Sequence, residues 1–378
     1  MKTPKIFLGI AAAGIALTLA GCSGGGGGRG GSEGGEGEDM TGALIGVAMP
    51  TQTSERWIDD GNNVKAKLED LGYKVDLQYA NDKVQDQISQ IEGMLNKGAE
   101  ALIIASIDGT ALTQVLQTAE DDGVEIISYD RLINGSDAVD AYVTFDNFEV
   151  GVQQGTSLLT GLGLVDESGE STGDTTPKTI ELFAGSPDDN NAGFFFDGAM
   201  SVIQPLIDSG QITVGSGQTE FTQVAIQQWK LEGAQARMEN LIGLAYGGGQ
   251  KLDGVLSPYD GLSRGIINAL KGNGYTDEEL PVITGQDAEK ASDRLILEGV
   301  QYSTIFKDTR LLGDTAAEMV DKLVNGEKPE FNDTETYDNG EKIVPAFLHE
   351  SVIITEENLM EEVVESGYYT EEEVTSGE

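Results

Sequence analysis

The sequence predicts an α/β protein built as two lobes, each a doubly wound parallel sheet, and three observations predict it. Short apolar runs alternate with stretches of helical spacing from Ala43 onward, the sequence mark of parallel strands joined by crossover helices. These βα units form two consecutive sets, separated by Thr144-Phe145-Asp146-Asn147. Each set has polar or charged residues at its strand ends, and in open α/β sheets ligands collect outside the carboxyl ends of the strands.

The first 41 residues stand apart from this pattern. Lys2 and Lys5 precede an apolar run, Ile6 to Ala20, that is too short for a comfortable membrane span. Residues 1–21 are therefore expected to be a secretory signal peptide. The run closes on Leu19-Ala20-Gly21-Cys22, which resembles a bacterial lipoprotein cleavage box. That resemblance implies cleavage before Cys22 and diacylation of its sulfur. Cys22 is the only cysteine, so it has no partner for an internal disulfide. Residues 22–41 then read as a lipid-anchored, Gly-rich tether. A chain of Gly, Ser and Glu buries too little surface to offset its ordering entropy.

The body, Gly42 to Glu378, is long enough for two lobes. Its charge is strongly one-sided: the whole chain carries 23 Lys and Arg against 65 Asp and Glu, a net charge of −42. Nucleic acid needs a basic footprint and anionic lipid needs basic contacts, so both are excluded as surfaces for the body. The charge reads as a solvated surface.

In the first set, Ala43 to Met49 is a strand of the buried type. Arg56 to Leu71 has helical spacing, with Trp57, Ile58, Val64, Leu68 and Leu71 on one side. Lys74 to Gln78 is a strand, Val84 to Lys97 a helix, Ala101 to Ala105 a strand ending at Asp108, and Leu112 to Asp121 a helix. The strand from Val124 then climbs to Tyr129 and meets two opposite charges, Asp130 and Arg131. That pair is either a surface ion pair in a turn or a set of acceptors and planar donors suited to vicinal hydroxyls.

In the second set, Val150 to Leu162 is helical. Thr179 to Ala184 is a strand ending in Gly185-Ser186-Pro187-Asp188-Asp189-Asn190-Asn191. Phe194 to Leu206 is a helix, Val214 to Gln218 a strand, and Val224 to Leu241 a helix containing Trp229. Gly254 to Ser257 is a strand ending at Tyr259-Asp260, Ile266 to Lys271 closes a helix, and Val282-Ile283 ends at Gly285-Gln286-Asp287. Two such sets make a clamp with its ligand between the lobes.

Several of these stretches carry a family resemblance: Ser54-Glu55-Arg56-Trp57, Gln90-Ile91-Glu92, Ser128-Tyr129-Asp130-Arg131, Thr144-Phe145-Asp146-Asn147, Gly185 to Asn191, Gly285-Gln286-Asp287-Ala288 and Ile305-Phe306-Lys307. In that order, from about Ala43 to Tyr369, the chain resembles type I periplasmic sugar-binding proteins of bacterial ABC importers. It is most similar to multiple-sugar receptors of the virulence-associated kind and next to D-xylose-binding proteins. The resemblance implies a monosaccharide ligand, such as xylose, arabinose, glucose or galactose, and a permease partner. One ligand and one three-strand hinge need no partner subunit, so a monomer is expected, without cofactor or metal. The crossovers are expected near Asp146, near Gln286 and between Tyr337 and Pro345. Lobe 1 would then be 42–146 plus 287–337, and lobe 2 would be 147–286 plus 338–378, with Ile343 to Ile354 rejoining the second lobe.

The same resemblance implies the ligand-binding residues. Arg56 and Trp57 supply a polar contact and an aromatic, Trp57 otherwise being a core residue of the first helix. Asp108 is an acceptor at the third strand end. Asp130 and Arg131 take ring hydroxyls. Asp189 and Asn191 face the sugar from the second lobe, with Asn190 the alternative to Asn191. Trp229 stacks from that lobe. Asp287 and Lys307 match an acid near the hinge and a strand-end base. Asp260 either joins them or serves as a helix N-cap. Tyr259 departs from the Asn-Asp of related pentose binders. Asn147 lines the pocket or only the hinge.

Other functions fit less well. The single histidine, His349, lies outside every strand-end cluster, and there is no Cys/His metal set, so no enzyme is expected. A sugar-responsive transcription regulator needs a basic headpiece where this chain has its leader and tether. The alternative is a sensor that presents a sugar, or a polyol such as an inositol, to a chemoreceptor or sensor kinase. The expected location is the outer face of the cytoplasmic membrane, held by N-terminal lipid alone.

Overall fold

The computed structural model describes residues 40–378. The signal peptide, Cys22 and all but the last two residues of the tether lie outside the described residues. Met40 and Thr41 already belong to the body: Met40 packs on the first-lobe core and its carbonyl accepts from Ala43 N at 2.9 Å.

The first lobe alternates as the sequence predicts through β1 Leu44–Met49, α1 Glu55–Asp70, β2 Lys74–Tyr79, α2 Val84–Asn96, β3 Ala99–Ile104, α3 Thr113–Asp121 and β4 Glu125–Tyr129, and then adds a strand outside that prediction, β5 Ala141–Phe145. β1 and β3–β5 are almost wholly apolar and buried, as strands covered on both faces must be. One core gathers Ile45, Val47, Ile103 and Ile127 with α1 and a later helix; the other gathers Ala48, Leu102, Ile104 and Ile126 with α2 and α3.

The second lobe holds α4 Asn147–Gly161, β6 Lys178–Leu182, α5 Asn190–Asp208, β7 Ile212–Val214, α6 Phe221–Val224, α7 Leu231–Leu241, β8 Gly254–Leu256, α8 Asp260–Gly272 and β9 Val282–Ile283. Its parallel sheet runs β7-β6-β8-β9. The expected helix from Val224 to Leu241 is broken. Gln227–Trp229 forms a separate 3₁₀ turn, in which Gln228 (φ 55°) and Trp229 (φ 54°) are left-handed, so Trp229 projects from a turn and not from a helix face.

The closing elements are α9 Lys290–Leu297, β10 Thr304–Phe306, α10 Thr309–Val324, β11 Ala346–His349, β12 Val352–Ile354 and α11 Glu371–Ser376. They correct the expected crossovers. α9 stays on the second lobe against α8 and α11, and Tyr302 N donates to Ile283 O of β9 at 2.9 Å. The return to the first lobe falls at Lys307-Asp308, after which α10 packs on α1, β4 and β5. The stretch expected to rejoin lobe 2 divides. β11 pairs in parallel with β5, giving the first sheet the order β11-β5-β4-β3-β1-β2, while β12 pairs antiparallel with β10. The physical reason is β5. Ala141–Phe145 is not among the expected strands, and without it the first sheet has no edge for β11 to join.

α4 and α5 cross closely because both carry glycine at the contact. A Cβ on Gly151 would stand 2.2 Å from Phe195 O, and one on Gly198 would stand 2.1 Å from Phe148 O. Gly→Ala in an open helix stabilises by about 1 kcal/mol. Here the added methyl meets backbone, and overpacking costs about 1–3 kcal/mol. Gly151→Ala is expected to lower the midpoint of urea unfolding, and an unchanged or raised midpoint would contradict the close crossing.

Candidate functional site

The carboxyl ends of the two sheets face one another across a cavity of about 90 Å³. Arg56 enters it from the first turn of α1, directly after β1. The guanidinium is buried among three carboxylates. Nε lies 3.1 Å from Asp60 one turn on, Nη2 donates to Asp130, and Nη1 lies 3.6 Å from Asp287. Burial alone would lower the Arg56 pKa; Asp130, Asp60 and Asp287 outweigh it and hold it well above the ordinary value. Burial would likewise raise Asp130, but Arg56 and Lys307 keep that carboxyl below its usual range. Asp60 has less help. Burial pushes it up to about 7, against the pull of Arg56 and a hydrogen bond from the Tyr129 hydroxyl.

β4 ends at Tyr129, and the backbone then turns left-handed at Asp130 (φ 59°). Such a conformation costs a non-glycine residue about 1–3 kcal/mol and persists only where the surroundings fix it. Three donors fix it here. The Asp130 carbonyl accepts from Tyr142 Oη at 2.7 Å, Thr144 Oγ1 at 2.9 Å and Asn191 Nδ2 at 2.8 Å. The last of these spans the two lobes. Asp287 is left-handed too (φ 93°), so both carboxylates turn from their strands toward the cavity at strained residues. Lys307 Nζ sits 2.8 Å from Asp287 Oδ1, with the rings of Phe145 and Phe195 at 5.7 and 5.6 Å.

From the second lobe, Asp189 joins three partners. It faces Arg131 Nε at 3.0 Å across the cleft, accepts from Trp229 Nε1 at 3.1 Å, and caps α5 by accepting from Asn191 N at 3.0 Å. Burial raises its pKa, with Arg131 opposing. The Trp229 ring lies on Gly185, where a Cβ would come within 1.9 Å, so that glycine is required by a close approach. The Trp57 ring has two guanidiniums within reach, Arg56 at 4.9 Å and Arg131 at 5.0 Å, and it packs in the first-lobe core while also lining the cavity.

Nine of the eleven expected positions therefore meet at one cavity: Arg56, Trp57, Asp130, Arg131, Asp189, Asn191, Trp229, Asp287 and Lys307. Asp108 does not. Its Oδ1 turns back to accept from Thr110 N at 2.9 Å and Thr110 Oγ1 at 2.8 Å, capping its own loop. Asp260 does not either. It is wholly buried behind the wall at the start of α8, accepting from Glu289 N, Gln301 Nε2 and Thr304 Oγ1. Asn147 lies behind Asn191, donating to its Oδ1 at 3.2 Å. The inward amide is Asn191. The wall also includes Ser54, Asp188, Phe195, Gln228, Tyr259 and Gln286, which sequence reasoning did not select. Asp188, Tyr259 and Gln286 stood inside recognised strand-end stretches; Phe195 stood in a run of three phenylalanines that reads equally as helix core.

Burial pushes Asp260 up to about 8 from 3.8. A carboxyl raised on folding contributes stability that is fully present below its unfolded pKa and lost as pH rises through its folded value. Unfolding free energy is thus expected to fall between about pH 4 and pH 8, with Asp60 adding to the fall up to about 7. In Asp260→Asn the Gln301 amide can reverse and the fall should be shallower. Denaturant titrations across this pH series check it, and equal slopes would refute the assignment.

A family model described as "Periplasmic binding protein domain" matches residues 45–328. The chain is 54% identical over 329 residues to the multiple sugar-binding periplasmic protein SbpA of Azospirillum brasilense, covering 86% of this chain and 90% of that one. It is 52% identical over 327 residues to the multiple sugar-binding periplasmic receptor ChvE of Rhizobium radiobacter, with the same coverage. Among solved structures, an ABC transporter solute-binding protein of Clostridium phytofermentans with bound β-D-glucose superimposes with a TM-score of 0.83 at 45% identity, covering 88% of this chain and 99% of that one. With its two parallel-sheet lobes and a cavity between them, the chain belongs to the periplasmic-binding-protein family, as a type I member and a binding protein rather than an enzyme.

Proposed function

We propose that the cavity holds one monosaccharide and that the protein is a sugar receptor exported to the periplasmic side of the membrane. One observation carries this reading. The nine positions gathered above bring two guanidiniums, an ammonium, three carboxylates, an amide and two indoles to a single small cavity. Each hydroxyl of a sugar both donates and accepts, and charged partners make the stronger hydrogen bonds. An inverted hydroxyl leaves a buried group unpaired, at a cost of about 1–3 kcal/mol, so this wall selects stereochemistry. Trp57 and Trp229 supply apolar faces for the C–H patches of a pyranose. The relatives named as multiple sugar-binding and the glucose-bound neighbour support an aldose, glucose among them, with xylose, arabinose and galactose as the other candidates.

Closure follows from the contacts across the cleft. Asn191 to Asp130 and Arg131 to Asp189 tie the lobes where a sugar would touch both. A ligand that binds both lobes favours the closed state by its differential affinity for it. The closed receptor would deliver its sugar to an ABC permease. Diacylation at Cys22 would keep it at the membrane surface, and its ligand-binding set would be the nine residues gathered above. A role in presenting sugar to a chemoreceptor or sensor kinase would use the same cavity and a different outer face.

A thermal-shift screen of residues 40–378 against aldoses, polyols and amino acids tests the ligand class. A ligand that binds only the folded state raises the melting temperature by mass action. A rise with D-glucose or another aldopyranose is expected, and a rise only with an amino acid would sink the assignment. By titration calorimetry, Trp229→Ala and Asp287→Ala should each weaken binding by roughly 10- to 100-fold. Asp108→Ala, away from the wall, should stay within about twofold.

A further inference from the structure

One buried acid beside the cavity has no part in that reading. Glu289 follows Asp287-Ala288 and leads into α9, and it is 3% exposed. Its Oε1 accepts two hydroxyls, Tyr259 Oη at 2.7 Å and Ser54 Oγ at 2.8 Å. Its Oε2 is held by Arg264 Nη2, and its backbone N–H donates to Asp260 at 2.9 Å. Tyr259, Arg264 and Asp260 all belong to the second lobe, whereas Ser54 belongs to the first. A single carboxylate oxygen is thus shared by one donor from each side of the cleft.

Ser54 makes this contact in place of another. It occupies the N-cap position of α1, yet its side chain makes no capping hydrogen bond. A capping serine is ordinarily worth about 1 kcal/mol to its helix. Here the hydroxyl reaches across the cleft instead. Tyr259 is held from several sides. Its ring meets Trp229 edge-on at 6.1 Å and 88°, it lies over Gly261, where a Cβ would be 2.3 Å away, and its hydroxyl is fixed by Glu289.

We infer that Glu289 is a positioning residue that latches the closed cleft: it fixes Tyr259 as a wall of the cavity and offers the same oxygen to Ser54 of the opposite lobe, so that it governs how slowly bound sugar leaves. The inference rests on the sugar-binding reading of the cavity. Arg264 keeps the carboxylate in place whether or not Ser54 is present, so the Ser54 contact forms and breaks with the lobes while the rest of the cluster stays assembled.

Release and association rates of D-glucose, measured by stopped flow on the full chain, test it. A hydrogen bond to a charged group is worth enough that Ser54→Ala should speed release by roughly 10-fold. Association should be nearly unchanged, because the latch forms after encounter. Ser54→Thr, which keeps the hydroxyl, should restore slow release. In a Glu289→Ala background, Ser54→Ala should add nothing. A wild-type release rate in Ser54→Ala, or the same acceleration with Glu289 absent, would overturn the latch while leaving the sugar reading intact. Should the wild-type chain bind no aldose, the sugar reading fails by itself. The latch is then read from small-angle scattering of the chain alone: Ser54→Ala must shift the curve toward a more open form, and an unchanged curve overturns it.

Discussion

The buried Arg56 guanidinium is the contact on which the site depends. Removing a charge from water costs several kcal/mol per ion, and only close, well-directed partners repay it. Arg56 finds them in Asp60 of its own helix, Asp130 at the end of β4 and Asp287 after β9. Those three acids come from separate parts of the chain, so the guanidinium fixes the start of α1, the end of a central strand and the second lobe's last strand end relative to one another. Lys307 and Arg131 extend the same pattern through Asp287 and Asp189. The result is an alternating array of charges in which each group already has a partner of opposite sign, and a polar ligand entering it finds donors and acceptors already in place.

Much of the remaining architecture holds that array still. The strained turn at Asp130 is fixed by Tyr142, Thr144 and Asn191. Gly185 lets Trp229 lie flat on the backbone, and the left-handed turn at Gln228-Trp229 aims the indole back toward Asp189. The glycines of α4 and α5 bring those helices close enough that Asn147 and Asn191, each near the start of its helix, meet side by side. None of these residues needs an unusual side chain. Each works through where the backbone places it.

The strongly acidic composition touches little of this. The 65 acids give the chain its net charge of −42, but Asp130, Asp189 and Asp287 at the cavity are each matched by a cation. Asp60 and Asp260 mark the limit of that matching. Both are wholly buried, and burial pushes their pKa values up because their partners offset only part of the desolvation.

The sequence by itself determined the class of the fold and the succession of two βα sets, and its resemblance to periplasmic sugar-binding proteins pointed to nine of the positions that wall the cavity. Apolar period and strand-end polarity are local properties, and ligands of such sheets collect at strand ends by topology. Tertiary structure decided what local pattern leaves open. Asp108 and Asp260 look like their neighbours in the sequence, yet one caps its own loop and the other lies behind the wall, because a side chain's direction depends on backbone turns and on distant donors. Trp229 fits a helical pattern but sits on a left-handed turn. The lobe to which β11 belongs depended on β5, two hundred residues earlier in the chain, offering it an open edge. Strand partnership is a property of the whole sheet, and no stretch of sequence carries it alone.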